Sequence, residues 1–155
     1  MDNYYITEKF TLVPQGYGKI EYLKELFTIE EDEKIFTRTV ANYNATLIYA
    51  ATQEDKEPLI KVMIENLHSI KEHNKIIVHY NRSGNRTYIT AAEGDKLLLA
   101  NSYRTTDTKN VLYFITLVCG QIMFNPQLTT IHYMGELGEE LKQLIATYYQ
   151  GTDKI

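Results

Sequence analysis

Three strand-like runs follow one another in the second half of this 155-residue chain, and they constrain its fold more than any other feature. The runs are KIIVHY, TYITAA and KLLLANSY, which are rich in β-branched, aromatic and aliphatic residues. The sequence EGD around Gly94 is a tight-turn signal, so it joins the second and third runs into a hairpin. The sequence therefore predicts an antiparallel meander of three strands.

A helix is predicted directly after the meander. Thr106 or Asp107 is a suitable N-cap, and the pattern continues to Phe124, ahead of Asn125 and Pro126. Its apolar residues spread around most of the helical circumference, which predicts a helix buried on more than one side.

A strand, LTTIHYMG, and a final amphipathic helix, GEELKQLIATYY, complete the second half. The residues predicted to face inward on the final helix are Leu141, Leu144, Ile145 and Tyr148. The order β-β-β-α-β-α is that of a ribonuclease-H-like fold, in which three antiparallel strands are followed by crossovers to parallel ones.

The first half predicts a smaller α/β lobe. Its elements are a strand KFTLVP, a helix IEYLKELF and a hairpin of KIFTRTV with ATLIYAAT. Asp55 is the candidate cap of a further helix with Pro58 in its first turn. The apolar stripe predicted for that helix consists of Leu59, Ile60, Met63, Ile64 and Leu67. We predict a partial N-terminal lobe over residues 1–73 and a ribonuclease-H-like lobe over residues 74–155.

Composition excludes several function classes. A formal net charge of -4 offers no cationic surface for a nucleic-acid backbone, so we expect no nucleic-acid partner. The single cysteine, Cys119, cannot form an internal disulfide. The opening MDNYYITEKF lacks a signal-peptide pattern, and the apolar run VLYFITLVCGQIMF is too short to insert into a membrane. These features predict a cytoplasmic protein.

Four motifs give the chain a family resemblance: FTLVP, ATLIYAAT, GDKLLLANSYRTTDTKNVLYFI and IHYMGEL. In this order and spacing they resemble an uncharacterised bacterial family with the actin-like ATPase fold, a mixed α+β architecture of sheets packed with helices. More remotely, the chain is similar to the cytoplasmic actin-like components of type IV pilus assembly. The resemblance implies ATP and magnesium as candidate cofactors. It also implies that the first lobe is incomplete, because family members look longer at the N-terminus.

The resemblance implies two candidate nucleotide-binding segments. In active actin-like proteins, a hairpin between the first two strands of a lobe carries an Asp, glycines and a Thr. The corresponding YNRSGNRT provides Gly84 and Thr87, but no carboxylate stands at the positions where the Asp is expected. The second segment, MGELG, provides Gly135 and Gly138.

Chemistry other than nucleotide binding has fewer candidates. Arg82 and Arg86 flank Gly84, and with Arg104 they form a candidate site for phosphate or another anion, although a plain polar β-turn is the favoured interpretation. The strand KIIVHYN has none of the carboxylates that a two-metal nuclease needs. His79 and His132 are interpreted as a hydrogen-bonded pair on neighbouring strands rather than as metal ligands. The sequence thus predicts no catalytic residue and no metal site.

Three functional hypotheses follow. The preferred one is a degenerate actin-like protein that acts without turnover as an interaction or scaffold module, with a protein partner or a second copy. The second is a nucleotide-binding ATPase that uses Gly84, Thr87 and Gly135. The third is a small-anion sensor that uses the three arginines.

Overall fold

The computed structural model describes residues 4–155 and separates into two compact units, one ending at His68 and the other beginning at Ser69. Residues 1–3, which open the segment without a signal-peptide pattern, lie outside the described residues. The boundary predicted between residues 73 and 74 falls in the same connecting segment, and its assignment as a lobe boundary stays a prediction.

The first unit is built on a three-stranded antiparallel sheet. Its strands are β2 (Phe10–Pro14), β3 (Lys34–Val40) and β4 (Ala45–Ala51), in the order β2-β4-β3. Helix α1 (Glu21–Leu26) buries Leu23 in a cluster with Ile48 and Ala50 of β4. The predicted hairpin of KIFTRTV with ATLIYAAT is confirmed, because β3 and β4 pair antiparallel along their full length.

The second helix of this unit, α2 (Leu59–Leu67), begins later than Asp55 would place it. Pro58 is extended and acts as the N-cap, because β5 (Glu57–Pro58) pairs in parallel with β1 (Tyr4–Tyr5). The predicted cap by Asp55 is therefore wrong. The predicted apolar stripe is confirmed, since all five of its residues are buried.

The second unit contains a five-stranded sheet in the order β10-β9-β6-β7-β8. The strands are β6 (Asn74–Asn81), β7 (Arg86–Glu93), β8 (Lys96–Arg104), β9 (Thr130–Tyr133) and β10 (Gly151–Lys154). The first three pair antiparallel, which confirms the predicted meander. Strand β9 pairs in parallel with β6, and β10 in parallel with β9, so the unit has the predicted ribonuclease-H-like order with one further strand.

Helices α3 (Thr108–Gln121) and α4 (Glu139–Tyr148) pack with one face of this sheet. Asp107 caps α3, because its side chain accepts a hydrogen bond of 2.8 Å from the backbone N–H of Asn110. The core they close is formed by alternate residues of the strands and the inner faces of both helices. Its fully buried members include Ile76, Val78, Ile89, Val111, Ile115, Ile131, Leu141 and Ile145.

Two predictions about these helices are wrong. Helix α3 is buried on one face only, and Tyr113 and Leu117 on its outer face are exposed, since the sheet and α4 cover only the inner side. Tyr148 was predicted to face inward but is exposed at the last turn of α4. None of the described helices combines the length and apolar character needed to cross a membrane.

The turn at Gly94 generates a first prediction. Gly94 has a φ of +57°, and a Cβ there would lie 3.1 Å from Cε1 of His73. We expect Gly94→Ala to lower the free energy of unfolding by about 1 kcal/mol, because alanine is strained in the left-handed region. Gly151→Ala is the matched control, since its Cβ would meet open space. Equal stability of the two variants in urea unfolding would contradict this account.

Candidate functional site

The candidate site is formed where the carboxyl ends of two parallel strands meet. Strands β6 and β9 are neighbours in the sheet, with Ile77 opposite His132 and Val78 opposite Tyr133. The hairpin turn of residues 82–85 follows β6, and the glycine loop of residues 134–138 follows β9. Ligands of α/β sheets bind at such carboxyl edges, so the topology places both predicted glycine segments where a ligand would be expected.

The hairpin turn is closed by its own polar groups. Ser83 Oγ and the backbone N–H of Gly84 both donate to Oδ1 of Asn81, at 3.1 and 3.4 Å. The backbone N–H of Asn85 donates to the carbonyl of Arg82 at 3.3 Å. Asn81 thus organises the turn through local hydrogen bonds to its side-chain oxygen.

Gly84 fits against Asn81 so closely that a side chain would displace it. A Cβ on Gly84 would lie 2.5 Å from Nδ2 of Asn81. The glycine predicted to let backbone approach a phosphate is therefore used here to let the Asn81 side chain approach the turn.

The glycine loop depends on two residues with positive φ. Gly135 has a φ of +79° and Gly138 a φ of +82°, and Gly138 is the N-cap of α4. Leu137, fully buried between them, anchors the loop in the core. The loop conformation explains both glycines without a ligand, because the left-handed region favours glycine.

Arg82 joins the two segments. Its Nη2 donates to the carbonyl of Leu137 at 3.4 Å, and a Cβ on Gly138 would lie 3.1 Å from that nitrogen. The guanidinium also lies 5.2 Å from the centre of the Tyr80 ring, within cation–π range. The two glycine segments singled out separately in the sequence are thus brought together by one arginine.

The first turn of α4 is crowded with carboxylates. Glu140 accepts a 2.9 Å hydrogen bond from Thr108 Oγ1, and Glu139 forms an ion pair of 3.4 Å with Lys142. Glu136, in the loop, pairs with Lys154 at 2.6 Å, and hydrogen bonding to that lysine lowers the pKa of Glu136. Acidic side chains complement the positive end of a helix, so the chain itself supplies the negative charge there.

The remaining predicted site residues lie on strands β7 and β8. Arg86 and Arg104 are cross-strand neighbours on β7 and β8, and Arg86 Nη1 donates to Ser102 Oγ at 3.3 Å. Thr87, the next residue along β7, points to the other face. Its hydroxyl is fully buried and lies 2.8 Å from that of Thr105. The structure therefore brings two of the three arginines together, and their role in anion binding stays a prediction.

The two histidines of neighbouring strands have separate partners. His79 is buried, and its Nδ1 lies 3.0 Å from the carbonyl oxygen of Met134, so Nδ1 carries the proton and donates it. His132 Nε2 lies 3.2 Å from Oε1 of Glu72, and its Nδ1 lies 3.8 Å from Oδ2 of Asp153. Among residues 4–155 no group of three or more His, Cys, Asp or Glu side chains is arranged to hold a metal ion.

The sequence offered no signal for the contact of Arg82 with the glycine loop. The sequence separates Arg82 from Leu137 by 55 residues, and only the parallel pairing of β6 with β9 makes them neighbours.

Sheet order, crossover helices and paired glycine segments together define a protein of the actin-like ATPase fold. A solved structure from Bacteroides thetaiotaomicron, described as a protein with actin-like ATPase fold and unknown function, matches with a TM-score of 0.77 at 18% identity. The alignment covers 97% of this chain but only 66% of that one, so this chain spans just under two thirds of its length.

The family is established by sequence. Residues 4–150 match the model of the family described as "Protein of unknown function (DUF3822)", and the chain belongs to that family. No curated protein matches the chain. The predicted resemblance to an uncharacterised family of actin-like fold is thereby confirmed, while the remoter similarity to pilus assembly components stays a prediction.

The buried His79 generates a second prediction. Burial lowers the pKa of His79, so between about pH 7 and pH 5 the unfolded chain binds more protons than the folded one. Acidification across that window should therefore lower the free energy of unfolding. His79→Asn keeps an N–H for Met134 and removes the titration, so its stability should depend less on pH. His73→Asn is the matched control, since it makes the same substitution at an exposed histidine. A wild-type slope in His79→Asn would contradict the assignment.

The glycine loop of residues 134–138 generates a third prediction. Gly138→Ala places a Cβ at a φ of +82° and against Arg82, so we expect a loss of about 1–2 kcal/mol in urea unfolding. In an Arg82→Gln background the loss should shrink but persist, because the backbone strain remains when the contact is relieved. A substitution at Gly138 that costs nothing in either background would show that the loop is differently built.

Proposed function

We propose that this protein is a non-catalytic interaction module of the actin-like fold. The observation that carries the proposal is the self-closed hairpin turn, in which Asn81 accepts from the Gly84 N–H and the Ser83 hydroxyl. In a phosphate-binding loop, backbone N–H groups are directed at the ligand instead. Here the amide of the central glycine is already used within the turn.

The absence of a carboxylate in the hairpin supports the same proposal. Magnesium in phosphoryl-transfer sites is held through carboxylates and phosphate oxygens. The segment from Asn81 to Asn85 contains only neutral and cationic side chains. The nearest equivalent of the missing carboxylate is the side-chain amide of Asn81. It is neutral, and its oxygen already accepts hydrogen bonds within the turn.

Electrostatics at the glycine loop also disfavour a nucleotide. A triphosphate approaching the N-terminus of α4 would meet the carboxylates of Glu136, Glu139 and Glu140, which already complement that helix end. The ATPase alternative further needs the hydroxyl of Thr87, which is buried against Thr105. The same proposal places this module in the cytoplasm, with a protein partner or a second copy of the chain.

A second candidate, a small-anion site, is favoured by one observation only. Arg86 and Arg104 are directly opposite each other on neighbouring strands, and two like charges so placed attract an anion between them. Such a site would be weakened by salt, because its partners are solvent-accessible charges.

Calorimetric titration with ATP and magnesium tests the proposal. We expect no heat of binding and no rise in unfolding temperature, since a ligand bound by the native state alone must stabilise it. Gly84→Trp is the control for a positive result, because a side chain there displaces Asn81. Binding that is lost in Gly84→Trp would refute the non-catalytic proposal. Heat from inorganic phosphate alone that disappears in Arg104→Gln would support the anion site instead.

A further inference from the structure

Strand β8 forms one edge of the five-stranded sheet, because β7 is the only strand that pairs with it among residues 4–155. Directly after β8, the backbone N–H of Thr105 donates to the carbonyl of Asn85 at 3.0 Å. In an antiparallel ladder, such hydrogen-bonded pairs alternate with pairs whose backbone groups point outward. Counted from Thr105, the register therefore directs the backbone groups of Ala100, Ser102 and Arg104 away from β7.

An outward-facing edge of this kind is a template for a further strand. Its N–H and carbonyl groups can extend the sheet with another chain, and native proteins protect such edges. A register shift between Ala91 and Ala92 interrupts the ladder towards the Lys96 end of β8. The regular part of the edge is therefore the segment 99–104, and Ser102 is the middle one of its three outward-facing residues.

The outward N–H of Ser102 is already satisfied by a side chain of the edge strand itself. It donates to Oδ1 of Asn101 at 2.8 Å. The Asn101 side chain is exposed, so burial in the core does not account for its presence. Asparagine is also depleted in strands, because its side chain competes for backbone hydrogen bonds. At an edge this same property is useful, since the side chain occupies a donor that has no strand partner.

We infer that Asn101 caps the outer edge of β8 and excludes the addition of a further strand there. A strand added to the segment 99–104 needs the N–H of Ser102, because that group lies at the centre of the edge. The incoming strand must first break the bond to Asn101, so it gains one hydrogen bond fewer than an uncapped edge would offer. This role in preventing association is separate from any surface through which the proposed module binds its partner.

Amide hydrogen exchange tests the cap directly at a concentration where the wild type and its variants are monomeric. Asn101→Ala should raise the exchange rate of the Ser102 N–H by roughly fivefold, the effect expected from the loss of one hydrogen bond. The Thr105 N–H is the internal reference, because its acceptor is the Asn85 carbonyl. Its rate should stay unchanged, which also shows that the variant retains the fold of this sheet.

Sedimentation velocity over a concentration series tests the consequence for association. Asn101→Ala should associate at concentrations where the wild type is monomeric. Asn74→Ala is the matched control and should sediment like the wild type, since it removes an exposed asparagine from β6, which is paired on both sides. Addition of Ser102→Pro to Asn101→Ala should abolish the association, because proline has no N–H to offer an added strand.

The two measurements together decide the inference. Faster exchange at Ser102, with an association that the proline removes, supports the cap. An unchanged exchange rate at Ser102 in Asn101→Ala, or sedimentation identical to that of the wild type at every concentration, overturns it. Association that persists after Ser102→Pro overturns it as well, since the contact would then use a surface other than the edge of β8.

Discussion

The parallel pairing of β6 with β9 is the constraint on which the second unit depends. Only two register pairs define it, yet it is extended by a hydrogen bond of 3.0 Å from the Met134 N–H to the Val78 carbonyl. His79 adds a side-chain bond to the carbonyl of the same Met134. Strand β10 pairs with β9 rather than with the meander. Both of these strands are therefore joined to the meander through the pairing of β9 with β6. The two glycine segments meet at the end of this pairing, so the candidate site exists only while β6 and β9 stay paired.

The candidate site lies at the end of the β6–β9 pairing. The hairpin and the glycine loop lie at the carboxyl edge of the sheet, and the hairpin bonds its own polar groups within the turn. Asn81 satisfies the turn, Arg82 bridges to Leu137, and carboxylates complement the start of α4. Each of these contacts is made between groups of the chain itself. These contacts belong to this chain and not to the fold in general, because function belongs to sites rather than to folds.

Sequence patterns predicted the meander and its helices because those elements are specified by local signals. Apolar strand runs, the glycine turn and the Asp107 cap are all readable within a few residues. Strand β10 was not predicted, because GTDK has no apolar alternation and becomes a strand only by pairing with β9. The contact of Arg82 with Leu137 was unpredictable for the same reason, since it depends on which strands become neighbours. Periodicity also overestimated the burial of α3, because an apolar pattern shows what a helix can bury but not how many sides are covered.

The two helices of the second unit carry apolar side chains that remain exposed. The outer face of α3 exposes Tyr113 and Leu117, its C-terminal cap holds a strained methionine, and α4 turns Tyr148 outward. Each departs from what local rules favour in an isolated chain, and all three belong to the two helices that cover one side of the second unit. Sequences are expected to agree with their folds at every level except where another requirement intervenes. Exposure of apolar groups at positions where glycine or a polar residue would cost less is such a departure.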